Sequence, residues 1–293
     1  MPVWALRAAW LLVPVLAGPA LGAALDERSQ PVQVVASALG WVGWAVVLVA
    51  TLVPRASSLT VVRIGVPGAL AAAAWAAGPG APDDALARGG LAVAAAAVAV
   101  VTAAAPAVSD AFVNGSAYGT ERRFALRCPL PLAALAGATW AAVAAGAITG
   151  PLLLAARQWV AGGLALVVGA TVAAAGARAL HGLSRRWLVL VPSGVVVHDP
   201  VARPDSVMAP RPLITHLAPA PRGTDALDLT LGAPGLALEL ATTEPLPVTV
   251  RRGRALATEE ATRVLVTPTR PSAVLAEAAA RRIPAASSPG RSS

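Results

Sequence analysis

One short stretch of this 293-residue chain gathers residue types found nowhere else in it. Residues 109–128 read SDAFVNGSAYGTERRFALRC. They hold the only tyrosine, Tyr118, the only two phenylalanines, Phe112 and Phe124, and the only asparagine, Asn114. Glu121, Arg122 and Arg123 form a mixed-charge cluster beside them. Guanidinium groups recognise phosphate through charge-assisted hydrogen bonds, and aromatic rings favour a membrane surface. Asn114, Tyr118, Arg122 and Arg123 are therefore candidate contacts for an anionic lipid headgroup or a protein partner. The plainer reading is a connecting loop. Its aromatics would anchor it at the interface, its arginines would set topology, and Asn114-Gly115 would mark a turn.

Elsewhere the chemistry is sparse. His181, His198 and His216 stand isolated, and the pairs Asp83-Asp84 and Glu259-Glu260 read as solvated carboxylates. Cys128, the single cysteine, reads as a small apolar filler. The chain has no Cys/His metal spacing, no Gly-rich phosphate loop and no G-x-S-x-G nucleophile. No catalytic residue, cofactor or metal is expected, and the chain reads as a non-enzyme.

The elements that must position the candidate cluster follow from composition. Apolar residues make up 56% of the chain and charged residues 13%, about half the usual share of a soluble domain; mean hydropathy is +0.67. Residues 1–182 carry 10 Arg and 6 acidic residues, whereas the shorter stretch 183–293 carries 13 and 9. The first part reads as solvated by lipid and the second by water. All 23 basic residues are Arg, and no run exceeds two. The net charge of +8 thus suits attraction to a membrane surface and gives no nucleic-acid signature.

Six windows reach the length of about 20 apolar residues that crosses a bilayer: 4–25, 32–53, 59–78, 91–108, 129–149 and 158–178. Nine Arg (7, 55, 63, 122, 123, 127, 178, 185 and 186) fall on the side of the first residues and the loop 109–128; Arg28, Arg88 and Arg157 fall on the other. That bias places both termini in the cytosol, in the cell membrane of a multi-pass protein. The first window, ending in small residues, also resembles a signal peptide, but one charge and a long apolar stretch favour a retained span. No Asp, Glu or His lies mid-span, with Asp110 just past the fourth window. This counts against ion-coupled transport and leaves a transporter or channel-like component for a neutral or lipidic substrate as the alternative function. Small residues recur at four-residue spacing at Ala36/Gly40, Ala133/Gly137/Ala141/Ala145 and Gly169/Ala173/Ala177, as in packed helices. Trp41, Trp44 and Trp140 lie nearer mid-span and read as helix packing rather than a ligand cavity.

From residue 185 the period changes to two. Residues 187–191 and 195–198 read as a hairpin, 213–217 as a strand, and 227–231 with 236–240 as a second hairpin. A further strand is expected at 248–250, and 262–266 reads as a strand or the end of a turn of helix; a helix follows over 270–282 with Pro271 in its first turn and Glu277/Arg281 as an i,i+4 pair. Residues 200–212 are Pro-rich and read as a poorly formed strand, and 284–293 as a disordered tail.

Antiparallel strands closed by one helix, with the WLVLVPSGVVV opening and the TPTRPSAVLAEA helix start, resemble a small bacterial pleckstrin-homology-like (PH-like) domain over about 185–282. The whole chain, with its DAFVNGSAYGTERRF stretch, resembles uncharacterised actinobacterial multi-span membrane proteins that carry such a domain. Hydropathy and periodicity together predict an α-helical polytopic membrane bundle of about six spans (1–182) followed by a small antiparallel β domain with a closing C-terminal helix (183–283), whose alternating pattern should let it fold on its own. The resemblance implies a membrane-tethered binding or scaffold module, and supplies no functional residues.

Overall fold

The computed structural model describes residues 2–78, 83–252 and 255–285; the tail expected at 284–293 lies, past residue 285, outside them. Eight α-helices and eight strands are described. Six helices are long and apolar enough to cross a membrane: α1 Pro2–Leu25, α2 Gln30–Leu52, α3 Ala56–Ala76, α4 Asp83–Ala104, α6 Leu130–Ala155 and α7 Trp159–Ser184. They mark a multi-pass membrane protein. The chain divides into two units, Met1–Phe112 with Ala136–His181, and Val113–Leu135 with Gly182–Ser293.

In the first unit α1 buries Leu6, Ala9, Trp10, Val13, Ala17 and Ala20, the three-and-four spacing of a single helix face. It packs on α4, whose contact stripe Ala92, Ala96, Ala99 and Ala103 is all alanine, so the backbones approach closely. The opposite faces, such as Leu11, Leu12 and Val15 of α1 and Val160, Leu164 and Val167 of α7, stay exposed as lipid contact requires. The indoles of Trp10 and Trp44 donate to each other's backbone carbonyls at 3.0 and 3.1 Å, and Trp140 donates to the Ile64 carbonyl at 2.8 Å. These tryptophans fasten helices together.

The close helix crossing differs from the sequence pattern. Gly40 and Gly137 meet nothing within 4 Å, whereas Gly146 of α6 lies against Gly169 of α7, where a Cβ on Gly146 would come within 2.6 Å of the Gly169 carbonyl oxygen. Of the two glycines in the stripes expected on these helices, Gly169 sits at this seam and Gly137 does not; Gly146 and Gly150, which also meet α7, lie outside the stripes. A four-residue repeat in an alanine-rich helix selects no face by itself.

The second unit departs from the division at 183. The fourth helix stops at Ala104 because Pro106 disfavours the helical conformation in the residue before it. A short α5, Pro106–Asn114, follows, and then β1, Arg122–Ala125. β1 pairs antiparallel with β2, Trp187–Val191, setting Phe124 opposite Leu188 and Ala125 opposite Trp187. The stretch 109–128 is thus no mere connector. It supplies the edge strand of a sheet ordered β1-β2-β3-β4, with β3 Gly194–His198 and β4 Val207–Pro210. The Pro-rich segment 200–212 contains β4, a strand of four residues.

The second sheet is ordered β5-β7-β8-β6, with β5 Ile214–Pro219, β6 Leu227–Asp228, β7 Leu238–Arg252 and β8 Ala255–Val266. The hairpin expected from 227–231 and 236–240 does not form. β6 is two residues long and pairs in parallel with β8, and β7 pairs with β8 and β5. Leu231 and Gly232 both take positive φ (56° and 70°), which turns the chain off the extended path, and Leu231 and Leu236 are left exposed. The expected strand at 248–250 and the stretch 262–266 are parts of this longer β7–β8 ladder. Pro245 and Pro247 obscured it in the sequence. β5 follows β7 only as far as Thr242, so a missing N–H beyond that point breaks no second ladder.

One core joins both sheets and α8, Pro271–Ala280. It includes Phe124, Leu188, Leu190, Val195 and Val197 from the first sheet, Leu217, Leu240, Val248 and Val264 from the second, and Val274 and Ala278 from the helix. The chain leaving β8 lies along the free side of β1: Arg127 N–H donates to the Thr267 carbonyl and Thr269 N–H to the Ala125 carbonyl, both at 2.8 Å.

Candidate functional site

Strand alternation sorts the residues just past α7. Leu188 and Leu190 point into the core, so Arg186 shares their side, while Arg185, Trp187, Val189 and Val191 face outward. The β2–β3 register sets His198 opposite Trp187, and the two rings stack at 5.2 Å and 27°. The β1–β2 register brings Arg123 to the same face, its guanidinium 5.1 Å from the Trp187 ring centroid. The result is a shallow groove of about 300 Å³ lined by Arg123, Arg185, Trp187, Val196, His198 and Ser206, with Glu121 at its edge.

His198 is the polar centre of this groove. Its Nδ1 lies 2.9 Å from Ser206 Oγ, and its Nε2 is buried without a hydrogen-bond partner. Burial lowers its pKa, and Arg185 and Arg123 lower it further against an opposing pull from Asp199. The imidazole is therefore neutral near pH 7. Arg123 is held: it donates to Glu121 Oε1 at 2.5 Å and to Ser116 Oγ at 3.1 Å. Arg185 is exposed, and no ion pair among the described residues engages it.

On the inward side, Arg186 meets Asp199 through two hydrogen bonds, Nε to Oδ1 at 2.9 Å and Nη2 to Oδ2 at 2.8 Å, with both side chains fully buried. Arg186 Nη1 also donates to the Arg127 carbonyl at 3.0 Å, and Asp199 Oδ1 accepts the Val201 and Ala202 N–H groups. Arg203 is buried nearby, its Nη1 without a partner; burial lowers its pKa, Asp199 opposes that and Arg186 adds to it. This cluster fixes the β3–β4 loop to the strand that follows α7.

The residues singled out from the sequence have separate fates. Asn114 turns back on Arg123: its Nδ2 donates to the Arg123 carbonyl at 2.6 Å and its Oδ1 accepts the Arg123 N–H at 2.8 Å. Tyr118 is 90% exposed, and Arg122 is exposed on β1 with its side chain away from the groove. Of the four, only Arg123 lines the groove. His181 lies 2.9 Å from Thr60 Oγ1, and Asp110 is buried on α5. His216 lies 3.4 Å from the buried Glu239, which also accepts from Thr224 Oγ1 at 2.6 Å. Sequence reasoning missed Arg185, Trp187, His198 and Ser206 as a group. The period of two from residue 185 puts Arg185 and Trp187 on one face, but His198 and Arg123 join them only through the register of three strands.

No family model matches the chain, and neither does any curated protein or solved structure.

Proposed function

We propose that this is a non-enzymatic membrane protein that holds a PH-like binding or scaffold module at the cytosolic face of the cell membrane. The observation that carries the reading is β1. A strand lying between two membrane-spanning helices completes the sheet of the C-terminal module, so the module is fastened to the span region at two points of the chain, before α6 and after α7. Two sheets around one core with a closing helix support the PH-like likeness, and the open groove on the outer face of the first sheet supports a binding role. The nine-to-three arginine bias supports the orientation.

Two experiments test it. A reporter fused after Ser293 should be active only in the cytosol, and one inserted within 82–86 only outside; the reverse pattern overturns the orientation. A photo-crosslinking residue at Val196, inside the groove, should yield a lipid or protein adduct in native membranes, while the same residue at Arg222, in an exposed loop, should yield none. Absence of any adduct at 196 removes the binding reading.

A further inference from the structure

Resting on that reading of a membrane-held module, we infer that the groove formed by Arg123, Arg185, Trp187 and His198 takes the phosphate of an anionic lipid headgroup from the leaflet at which α7 ends. The argument begins with position along the chain. The apolar stretch of α7 gives way at Arg178, and the six residues from there to Ser184 add about 9 Å of helix. The polar zone on each side of a bilayer is about 5–8 Å deep. Arg185 and Trp187, the first groove residues after the helix, thus follow it within three positions of Ser184, and a long guanidinium side chain extends that reach.

Charge comes next. Two guanidinium groups face the groove against one carboxylate, Glu121, and that carboxylate is already hydrogen-bonded to Arg123. Arg185 keeps its donors open to solvent, as a phosphate requires. His198, kept neutral, adds no charge of its own. Its Nδ1 is engaged by Ser206 Oγ, and Nε2 is a buried polar atom without a partner. Trp187 stacks on His198 and carries the Arg123 guanidinium over its ring, which holds that cation at the groove wall. The floor between them is Val189 and Val196, so the site offers cationic donors around an apolar base. That combination suits a phosphodiester carrying a glycerol chain better than a bare inorganic ion.

The test uses the full chain in detergent, titrated with short-chain dioctanoyl phosphatidylglycerol and dioctanoyl phosphatidylcholine. The anionic lipid should bind about tenfold more tightly than the zwitterionic one. Arg185→Ala should remove most of that preference and Arg185→Lys should keep part of it, while Arg222→Ala should leave it intact. Val196→Phe, which fills the groove without changing charge, should also abolish binding; this separates a built site from general attraction to a positive surface. Inorganic phosphate at the same concentration should not displace the lipid. A missing preference, a preference that survives both Arg185→Ala and Val196→Phe, or displacement by free phosphate overturns the inference. Each of these leaves the broader reading standing if crosslinking at Val196 captures a protein.

Discussion

Asn114, the last residue of α5, behaves toward Arg123 as another strand would: its side-chain amide both donates to and accepts from that residue's backbone, at 2.6 and 2.8 Å. β1 is the edge strand of its sheet, and one of its residues thus gains the hydrogen bonds that no neighbouring strand supplies there. Asn114→Ala leaves both groups unpaired and should cost about 1–3 kcal/mol. Asn114→Asp keeps the acceptor but sets a carboxylate against the Arg123 carbonyl, and should be no better. Limited proteolysis between 115 and 121, compared with cutting elsewhere, reads the loosening of β1. Unchanged cutting in both variants would show that β2 alone holds the strand.

The same strand decides what fragment can fold. Residues 184–285 contain seven of the eight strands and α8, yet lack Phe124, which is buried in the shared core. Without it, Leu188 and Leu190 lose a covering strand and Arg281 loses the Thr120 carbonyl to which it donates. The fragment should melt broadly or at low temperature. Joining 113–128 ahead of it through a flexible linker should restore a cooperative transition by circular dichroism. Phe124→Ala in the joined form should then cost about 3–5 kcal/mol, as for other buried phenylalanines. Equal stability with and without 113–128 would make β1 a passenger.

Buried charge sets a third expectation. Arg186 and Asp199 satisfy each other, while Arg203 lies beside them with one nitrogen unpaired. Asp199→Ala strands two buried guanidinium groups and should destabilise the module by about 3–5 kcal/mol. Replacing the pair together, Arg186→Met with Asp199→Leu, removes the desolvation cost on both sides and should be milder than Asp199→Ala alone. Chemical denaturation of the three variants gives the ordering, and a double replacement as damaging as the single would contradict the pairing.

These relationships show which parts of the molecule could be read from sequence. The six long helices were legible because lipid demands an unbroken apolar run. The β2–β3 hairpin and α8 were legible because their signals are local: a two-residue turn with a glycine just after it, and a proline start with the Glu277–Arg281 pair at 2.8 Å. β1 was hidden because Phe124 and its partner Leu188 lie on opposite sides of two spans. The long β7–β8 ladder was hidden by Pro245 and Pro247, and by Leu231 and Leu236, whose alternation imitates a strand while the side chains face water. At the candidate site, Arg123 was singled out from its residue type, but its companions arrive through strand register, which no single stretch of sequence carries.

The lowered pKa of His198 gives the module a pH dependence of defined sign. In the unfolded chain the imidazole titrates near about 6.5; in the fold, burial first, then Arg185 and Arg123, push it lower. Between those values the unfolded state binds the extra proton. The stabilising contribution is therefore fully present above about 6.5 and is lost as pH falls toward the folded value. Thermal melts of the full chain from pH 7.5 down to 5 should show stability falling with acid, and His198→Gln should flatten part of that slope. A slope unchanged by the substitution would assign the acid sensitivity to other groups.

The last prediction concerns the hairpin of α6 and α7. At the crossing, Gly146 and Gly169 place backbone against backbone, and the atom that a new Cβ would strike is a carbonyl oxygen held in its own helix, which cannot swing aside as a side-chain tip could. Adding one methyl group at either position must push the helices apart over several turns, because each is a stiff rod. In lipid, where close packing rather than water exclusion holds helices together, that separation removes the main attraction. Gly146→Ala and Gly169→Ala should each lower the melting temperature of the detergent-solubilised chain and reduce disulfide crosslinking between cysteines placed at Val143 and Gly176, which meet along the same seam. Gly137→Ala and Gly163→Ala, on the same two helices but with nothing within 4 Å, should do neither and should gain slightly from the better helix former. The four substitutions are chemically identical and differ only in what each methyl group meets. Equal effects across all four would rule out the glycine crossing as the contact that holds α6 to α7.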